Sequence, residues 1–431
     1  MGLRASPNEA VSMQEPFLVF ALWTAIVLSV LEGAARYGLH LVNADQLIFL
    51  RDFLILGGLL ACIAKSLPRG ELPMSIGIFT ILLLIHGAVS LANFGTLIPA
   101  IYGLKIFIPA LCAFMVAPAI INPSKRVFIM VVALWIASVL AAILDQYWVT
   151  FPWVGLQVEL GGLDVQLGRD WQSGASIERV GGLARSSIGL AVSLPVLSFI
   201  ILTRVRSRSA CISIGVATFI VLVWTTQKGA IAGYALALVA LALSNSKSFA
   251  PLKFSLLLAM VFMALSPTLL IHLDMPRDQG VFSFASFIER IERMWPGAWQ
   301  WINRYPPFSG TGLGGISGAQ RFFAPEDVNA VDNLWLYLFG NFGYASLLYV
   351  AGIVIVALNL QASKSRIDRC VLAAFTFLMF YGVVISLIEE QSAAIWLGAT
   401  FGWLAHRQKA FRFVTQKVVA NKSNGERAQT V

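Results

Sequence analysis

A few charged side chains in this sequence stand beside apolar runs, and their types suit transfer of a group from a phosphate-bearing carrier. Lys228, in Thr225-Thr226-Gln227-Lys228-Gly229, is the one charge between two short apolar runs. Arg179 and Arg185 stand just before another run, and Asp332-Asn333 leads straight into a further one. Arginine forks match phosphate oxygens in two contacts at once. Fixed cations in a water-poor site stabilise charge growing on a departing group far better than exposed ones do. A carboxylate within hydrogen-bond reach accepts the proton of an attacking hydroxyl. Arg179 and Lys228 are therefore the candidate catalytic cations, with Arg185, Arg290 and Arg304 as further substrate contacts. Asp332 is the first candidate base, with Glu326 and Asp327 behind it. Asn333 can hydrogen-bond both a carboxylate and a sugar hydroxyl. Gly310-Thr311-Gly312 reads as a tight turn near a sugar or phosphate, because no strand precedes it as a dinucleotide fingerprint needs.

Each of these residues also has a plain structural reading. Arg179 and Arg185 could snorkel at an interface. Asp332-Asn333 could cap the following helix, since both residue types are favoured N-caps. His40 and His272 lie near the ends of apolar runs and read as structural. No His/Cys/Asp cluster has metal-ligand spacing, so neither a metal nor a cofactor is expected. Cys62, Cys112, Cys211 and Cys370 fall in or at the edge of apolar runs, which argues against a disulfide framework or a thiolate metal site.

The elements that must position these groups are membrane helices. The chain has 431 residues, of which 58% are hydrophobic and 12% charged, with a mean hydropathy of +0.77. Stretches of roughly 17–25 apolar residues mark membrane spans, and they recur near 17–35, 47–64, 73–91, 97–116, 126–144, 186–203, 210–224, 229–246, 252–272, 333–358, 369–388 and 391–405. The expected fold is an all-α polytopic membrane protein with about twelve spans, the seventh, eighth and twelfth of them short. Two polar loops interrupt the pattern, 145–185 and 274–332, the second between the ninth and tenth spans. Within it, Phe284, Phe287, Ile288, Ile291 and Trp295 recur at helical spacing, which predicts an interfacial amphipathic helix over 282–301. Pro296 should kink or end that helix. Arg51 and Asp52 sit inside a span; adjacent helical residues do not face each other, so each needs another partner. Lys105, inside the fourth span, either faces a polar cavity or snorkels.

The basic residues set the orientation. Lys65 and Arg69, Lys125 and Arg126, Arg204, Arg206 and Arg208, Lys247 and Lys253, Lys364, Arg366 and Arg369 all fall in alternate loops. A basic tail over 406–431 falls on the same side. Both termini are thus expected in the cytoplasm, and both long polar loops outside. The pI near 9.5 is then a topology signal rather than a sign of nucleic-acid binding.

At this point the residues resemble a known family. Arg179-Val180-Gly181-Gly182 before a span looks like the Arg-x-x-Gly entry of the O-antigen polymerase and ligase superfamily. Thr226-Gln227-Lys228-Gly229-Ala230 is similar to that family's Thr-x-Ser-Arg-Gly-Ala helix start, with Lys228 in the Arg place. Trp299-Gln300-Trp301-Ile302 through Pro306-Pro307-Phe308-Ser309-Gly310-Thr311-Gly312 resembles its Trp to Pro-x-x-Gly-x-Gly segment. Asp332-Asn333, followed by Gly340 and Gly343, resembles its His-Asn before the next span, with Asp332 in place of the ligases' His. That departure suits a polymerase of exopolysaccharide repeats better than a ligase. The resemblance, over roughly 175–345, implies a bacterial inner-membrane glycosyltransferase acting on the periplasmic side. Its substrates would be oligosaccharide repeats on undecaprenyl diphosphate, and a flippase and a chain-length regulator of the same pathway would be its partners besides the lipid bilayer. Two other readings remain: an O-antigen ligase, and a twelve-helix polysaccharide or lipid transporter. A transporter would more typically show an internal repeat and polar residues near mid-membrane.

Overall fold

The computed structural model describes residues 16–66, 74–160, 163–169, 178–245, 247–272, 284–360 and 365–407. In chain order the first helices are α1 (Pro16–Val30), α2 (Glu32–Leu41), α3 (Leu50–Ser66), α4 (Met74–Phe94), α5 (Ile98–Met115), α6 (Ala117–Ile121) and α7 (Lys125–Tyr147). A short hairpin follows, β1 (Gln157–Leu160) with β2 (Leu163–Gln166), antiparallel with Val158 opposite Val165. Then come α8 (Ser187–Leu202), α9 (Arg208–Trp224), α10 (Lys228–Leu243) and α11 (Ala250–Leu269). The second polar loop holds α12 (Ala285–Glu289) and α13 (Trp295–Ile302), and the chain ends with α14 (Leu334–Phe342), α15 (Ser346–Asn359), α16 (Arg366–Tyr381) and α17 (Gln391–His406).

Among the described residues, six helical stretches are long and apolar enough to cross a membrane: Asp45–Ser66, Gly77–Phe94, Ile98–Met115, Lys125–Tyr147, Ala250–Leu269 and Leu334–Asn359. A seventh crossing results if α1 and α2, bent by 87° at their junction, form one broken span. The protein is thus a helical, multi-pass membrane protein. Among the described residues the hairpin is its one sheet. The remaining apolar helices are shorter. A 16-residue helix is about 24 Å long against a hydrocarbon core of about 30 Å.

The long helices turn bulky apolar side chains outward, among them Phe53, Leu84, Ile101, Ile129, Phe254 and Leu348. Of the short ones, α8, α16 and α17 lie inside, whereas α9 and α10 also turn apolar side chains outward, Ile212 and Val239 among them. All of α8 but Ile188 is buried, and so is most of α16 and α17. A helix that is apolar all round belongs in such a position. Close approach between helices relies on small residues. A Cβ on Gly398 of α17 would fall 2.0 Å from the Ala110 carbonyl oxygen of α5. Because the central helices are short, their polar ends lie among protein rather than in bulk water, and the candidate site is built there.

Two expectations for the large loop need correction. The helix predicted over 282–301 is present from Ala285 to Ile302, with Ile288, Ile291, Trp295, Ala298 and Trp301 buried; Phe282 lies outside the described residues. Pro296 does not end it, although the α-helical pattern breaks just before it. A π-turn over Arg290–Met294 precedes it, and Pro296 sits in the first turn of α13, where its missing N–H costs little. Gly310 and Gly312 are likewise not a turn facing a ligand. Both are buried, and the segment threads between α4, α5 and α14. Thr311 N donates to Gly340 O (2.8 Å), Leu313 N to His86 O (2.9 Å) and Gly314 N to Asn341 Oδ1 (2.7 Å). Gly312 has φ +88°, and a Cβ there would meet the Ser90 backbone at 2.4 Å. Gly312→Ala should therefore cost on the order of 3 kcal/mol or more, seen as a lower Tm in detergent and reduced membrane abundance. An unchanged Tm would refute this packing.

Candidate active site

Arg179 stands in a loop held by the end of α7. Asp145 Oδ2 accepts from Gly181 N at 3.0 Å and from Gly182 N at 2.8 Å, and Gly182 takes φ +55°. Ser186 then caps α8 by accepting from Gly189 N. This clamp fixes Arg179 above the buried helix.

Lys228 opens α10. The turn before it is made by Thr226, at φ +53°, and not by Gly229. Gly229 is needed for room, because a Cβ would fall 2.2 Å from Val384 Cγ2. Gln227 is pinned on both sides: its Nε2 donates to Ser187 Oγ at 3.1 Å, and its Oε1 accepts from the Tyr381 hydroxyl at 3.2 Å.

Arg290 begins the π-turn, a distortion often found at functional sites. Its Nη2 pairs with Asp332 Oδ2 at 2.8 Å, Nε donates to Val384 O at 3.1 Å, and Nη1 donates to Ser286 O at 2.6 Å. Lys228 lies within electrostatic range of both Arg179 and Arg290. Burial, and then repulsion by Arg290, hold the Arg179 guanidinium below its ordinary pKa. Arg179 Nε is buried without a hydrogen-bond partner. Three cations from three separate segments thus lie within electrostatic range of one another, and one of them, Arg290, is paired with Asp332.

Other predicted residues fall elsewhere. Asn333 is fully buried and its side chain is spent: Oδ1 accepts from Leu336 N at 2.8 Å to cap α14, while Nδ2 donates to Met263 O, Ser266 Oγ and Val383 O. It positions Asp332 instead of offering itself to a ligand. Arg304 pairs with Asp327 at 3.2 Å and lies over the Trp301 ring at 5.0 Å, with both members of the pair about half exposed. Glu326 is exposed. His40 meets Asp45 at 3.3 Å, and the side chain of His272 lies outside the described residues, as do 276–280 and Asp170. Among the described residues no group of three or more His, Cys, Asp or Glu is placed to hold a metal ion.

Arg185 belongs to a second polar cluster. Arg36 and Arg51 pair with Glu32 at 2.7 and 3.4 Å, and Lys105 and Gln391 reach Asp52 at 3.2 and 2.7 Å. Arg51 and Asp52 thus each find a partner on another helix.

Glu389 and Glu390, between α16 and α17, are the residues that sequence reasoning missed. Glu389 Oε2 accepts from Ser317 Oγ at 2.8 Å and Ser386 Oγ at 2.6 Å, and Oε1 accepts from Gly318 N at 3.0 Å. Burial, helped by the charge of Asp332, raises its pKa against those hydrogen bonds. Burial and Glu32 raise that of Glu390, opposed by Arg169, Arg51 and Arg185. The available signal was two adjacent carboxylates between two short apolar runs. Comparison of the chain with protein-family models, with curated proteins and with solved structures gave no match.

Proposed function

We propose that this protein joins undecaprenyl-diphosphate-linked oligosaccharide repeats by glycosyl transfer at the periplasmic face of a bacterial inner membrane. The observation that carries this reading is the grouping of Arg179 and Lys228 near the Arg290–Asp332 pair. In the reaction a hydroxyl of one glycan attacks the anomeric carbon of another. The bond from that carbon to the diphosphate oxygen breaks, and its electron pair stays on the leaving diphosphate. Arg179, Lys228 and Arg290 take up that charge. The hydroxyl proton passes to the carboxylate of Asp332, which Arg290 holds at 2.8 Å.

The twelve-span topology is part of the same proposal. Each expected span coincides with one helix or helix pair, the short ones α8, α9, α10, α16 and α17 included. In that arrangement the cytoplasmic loops carry Arg206, and the outer loops carry Glu326. Both residues are exposed. Cysteine at 326 should react with an impermeant thiol reagent added outside whole spheroplasts, while cysteine at 206 should react only after permeabilisation. The reverse pattern would move the site to the cytoplasm and end the proposal.

The function itself is tested by the lipid-linked glycans that accumulate in cells lacking the protein. Single repeats on the carrier are expected. Full-length polymer that stays on the carrier would instead identify a ligase, and an unchanged glycan pool would refute both.

A further inference from the structure

We propose that Tyr381 is a positioning residue of the diphosphate site: through Gln227 it holds Lys228 in register with Arg290 and Asp332. The inference rests on the diphosphate site of the reading above and deepens it, because it names what assembles that site. Residues 381–384, at the end of α16 and just past it, touch three segments of the group. The Tyr381 hydroxyl donates to Gln227 Oε1 at 3.2 Å, one residue before Lys228. Gly382 O accepts from Leu334 N at 2.8 Å and Val383 O from Asn333 Nδ2 at 2.9 Å, which fixes the start of α14 beside Asp332. Val384 O accepts from Arg290 Nε at 3.1 Å. A helix end leaves carbonyls without partners inside the helix, and here the segments that carry Asp332 and Arg290 take them up. The space that a Cβ of Gly229 would need is filled by Val384 and the Tyr381 ring.

A lysine ammonium rides on a flexible four-carbon stem, so its place depends on where its backbone is held. That backbone is strained. Thr226 takes φ +53°, an outlier for a β-branched side chain, and such strain persists only where the surroundings over-determine it. Gln227 links the turn to those surroundings. Its N donates to Thr225 Oγ1 at 3.3 Å, its Nε2 donates to Ser187 Oγ of α8 at 3.1 Å, and its Oε1 takes the Tyr381 hydroxyl. Ser187 follows Ser186, the cap at the end of the Arg179 loop. One amide thus ties the supports of both Arg179 and Lys228 to α16. The ring of Tyr381 has a separate duty: it is buried and stacks on Phe377 at 6.0 Å, which a phenylalanine would do as well. The hydroxyl is the part that acts on the site, and it can be removed while the ring stays.

Geranylgeranyl diphosphate binding to the full-length protein in lipid nanodiscs tests this, measured beside polymer formation from lipid-linked repeats. Tyr381→Phe should weaken binding of the probe by about five- to tenfold, the scale of one buried hydrogen bond. Lys228→Ala should weaken it at least as much. With both changes present the loss should equal that of Lys228→Ala alone, because Tyr381 acts through a side chain already gone. A hydroxyl that only supports the fold gives losses that multiply instead. Multiplying losses, or unchanged binding in Tyr381→Phe, would overturn the positioning role. Should Tyr381→Phe fold poorly, Gln227→Met, which keeps the length of the side chain and drops both of its hydrogen bonds, is read in the same cycle with Lys228→Ala. The two readings fail separately. A wild type that binds the diphosphate but joins no repeats would refute glycan joining, while the binding cycle still decides the role of Tyr381. A wild type that binds no diphosphate would refute the site, and the positioning role with it.

Discussion

Arg179→Ala and Lys228→Ala should each lower the rate of polymer formation by about 10²–10³-fold, the usual cost of losing one preorganised donor to a developing oxyanion. Membrane abundance should not change. The structure makes Arg179 the sharper test of the two. Its Nε is buried without a hydrogen-bond partner, and repulsion by Arg290 works against its charge. Deleting it relieves a repulsion and breaks no ion pair among the described residues, so a purely structural account predicts equal or greater stability. Loss of activity together with an unchanged or raised Tm therefore assigns Arg179 to the substrate. Lys228→Arg should retain most activity, because the charge persists. Arg179→Lys should do worse, because a point charge does not reproduce a fork on phosphate. Normal polymer yield from Lys228→Ala would remove that residue from the site, and degradation of the Arg179→Ala protein would make it a packing residue.

Arg179, Lys228 and Asp332 stood out as candidates because each is a charge beside an apolar run, and charge there is rarely without a reason. Their mutual arrangement was not legible. Arg185 stands only six positions after Arg179 and looks equivalent in sequence, yet it donates to Gln166 O and lies near Arg36 and Glu32. The glycines of 310–315 misled for a related reason. A Gly-rich stretch signals close backbone approach, and sequence does not say whether the approaching group is a ligand or the protein itself. Here it is the backbone of α4, α5 and α14. Glu389 and Glu390 were invisible because their burial follows from the shortness of α16 and α17, which only packing reveals. Gly229 shows the same limit: its need for space comes from Val384 of a distant helix.

Asp332→Asn should reduce turnover by about 10²–10⁴-fold, the range for loss of a general base, while lipid-linked substrate still binds. Two structural features make this swap cleaner than its neighbours. First, the cap of α14 belongs to Asn333, whose Oδ1 accepts from Leu336 N, so helix capping does not depend on Asp332. Second, Asp332 holds φ +40°, a left-handed conformation that Asn tolerates about as well as Asp and that other side chains resist. Asp332→Ala would mix backbone strain with lost chemistry; the amide does not. What Asp332→Asn does change is the pair with Arg290, at 2.8 Å, so two roles compete. If Asp332 takes the proton, the loss falls on kcat and the substrate KM stays near normal. If it only aims Arg290, binding of the diphosphate suffers too, and Arg290→Gln combined with Asp332→Asn should be little worse than either change alone. Loss of kcat with intact binding and a further loss in the double variant supports the base. Near-normal polymerisation by Asp332→Asn would free that role for Glu389, a half-buried carboxylate within the electrostatic reach of Asp332.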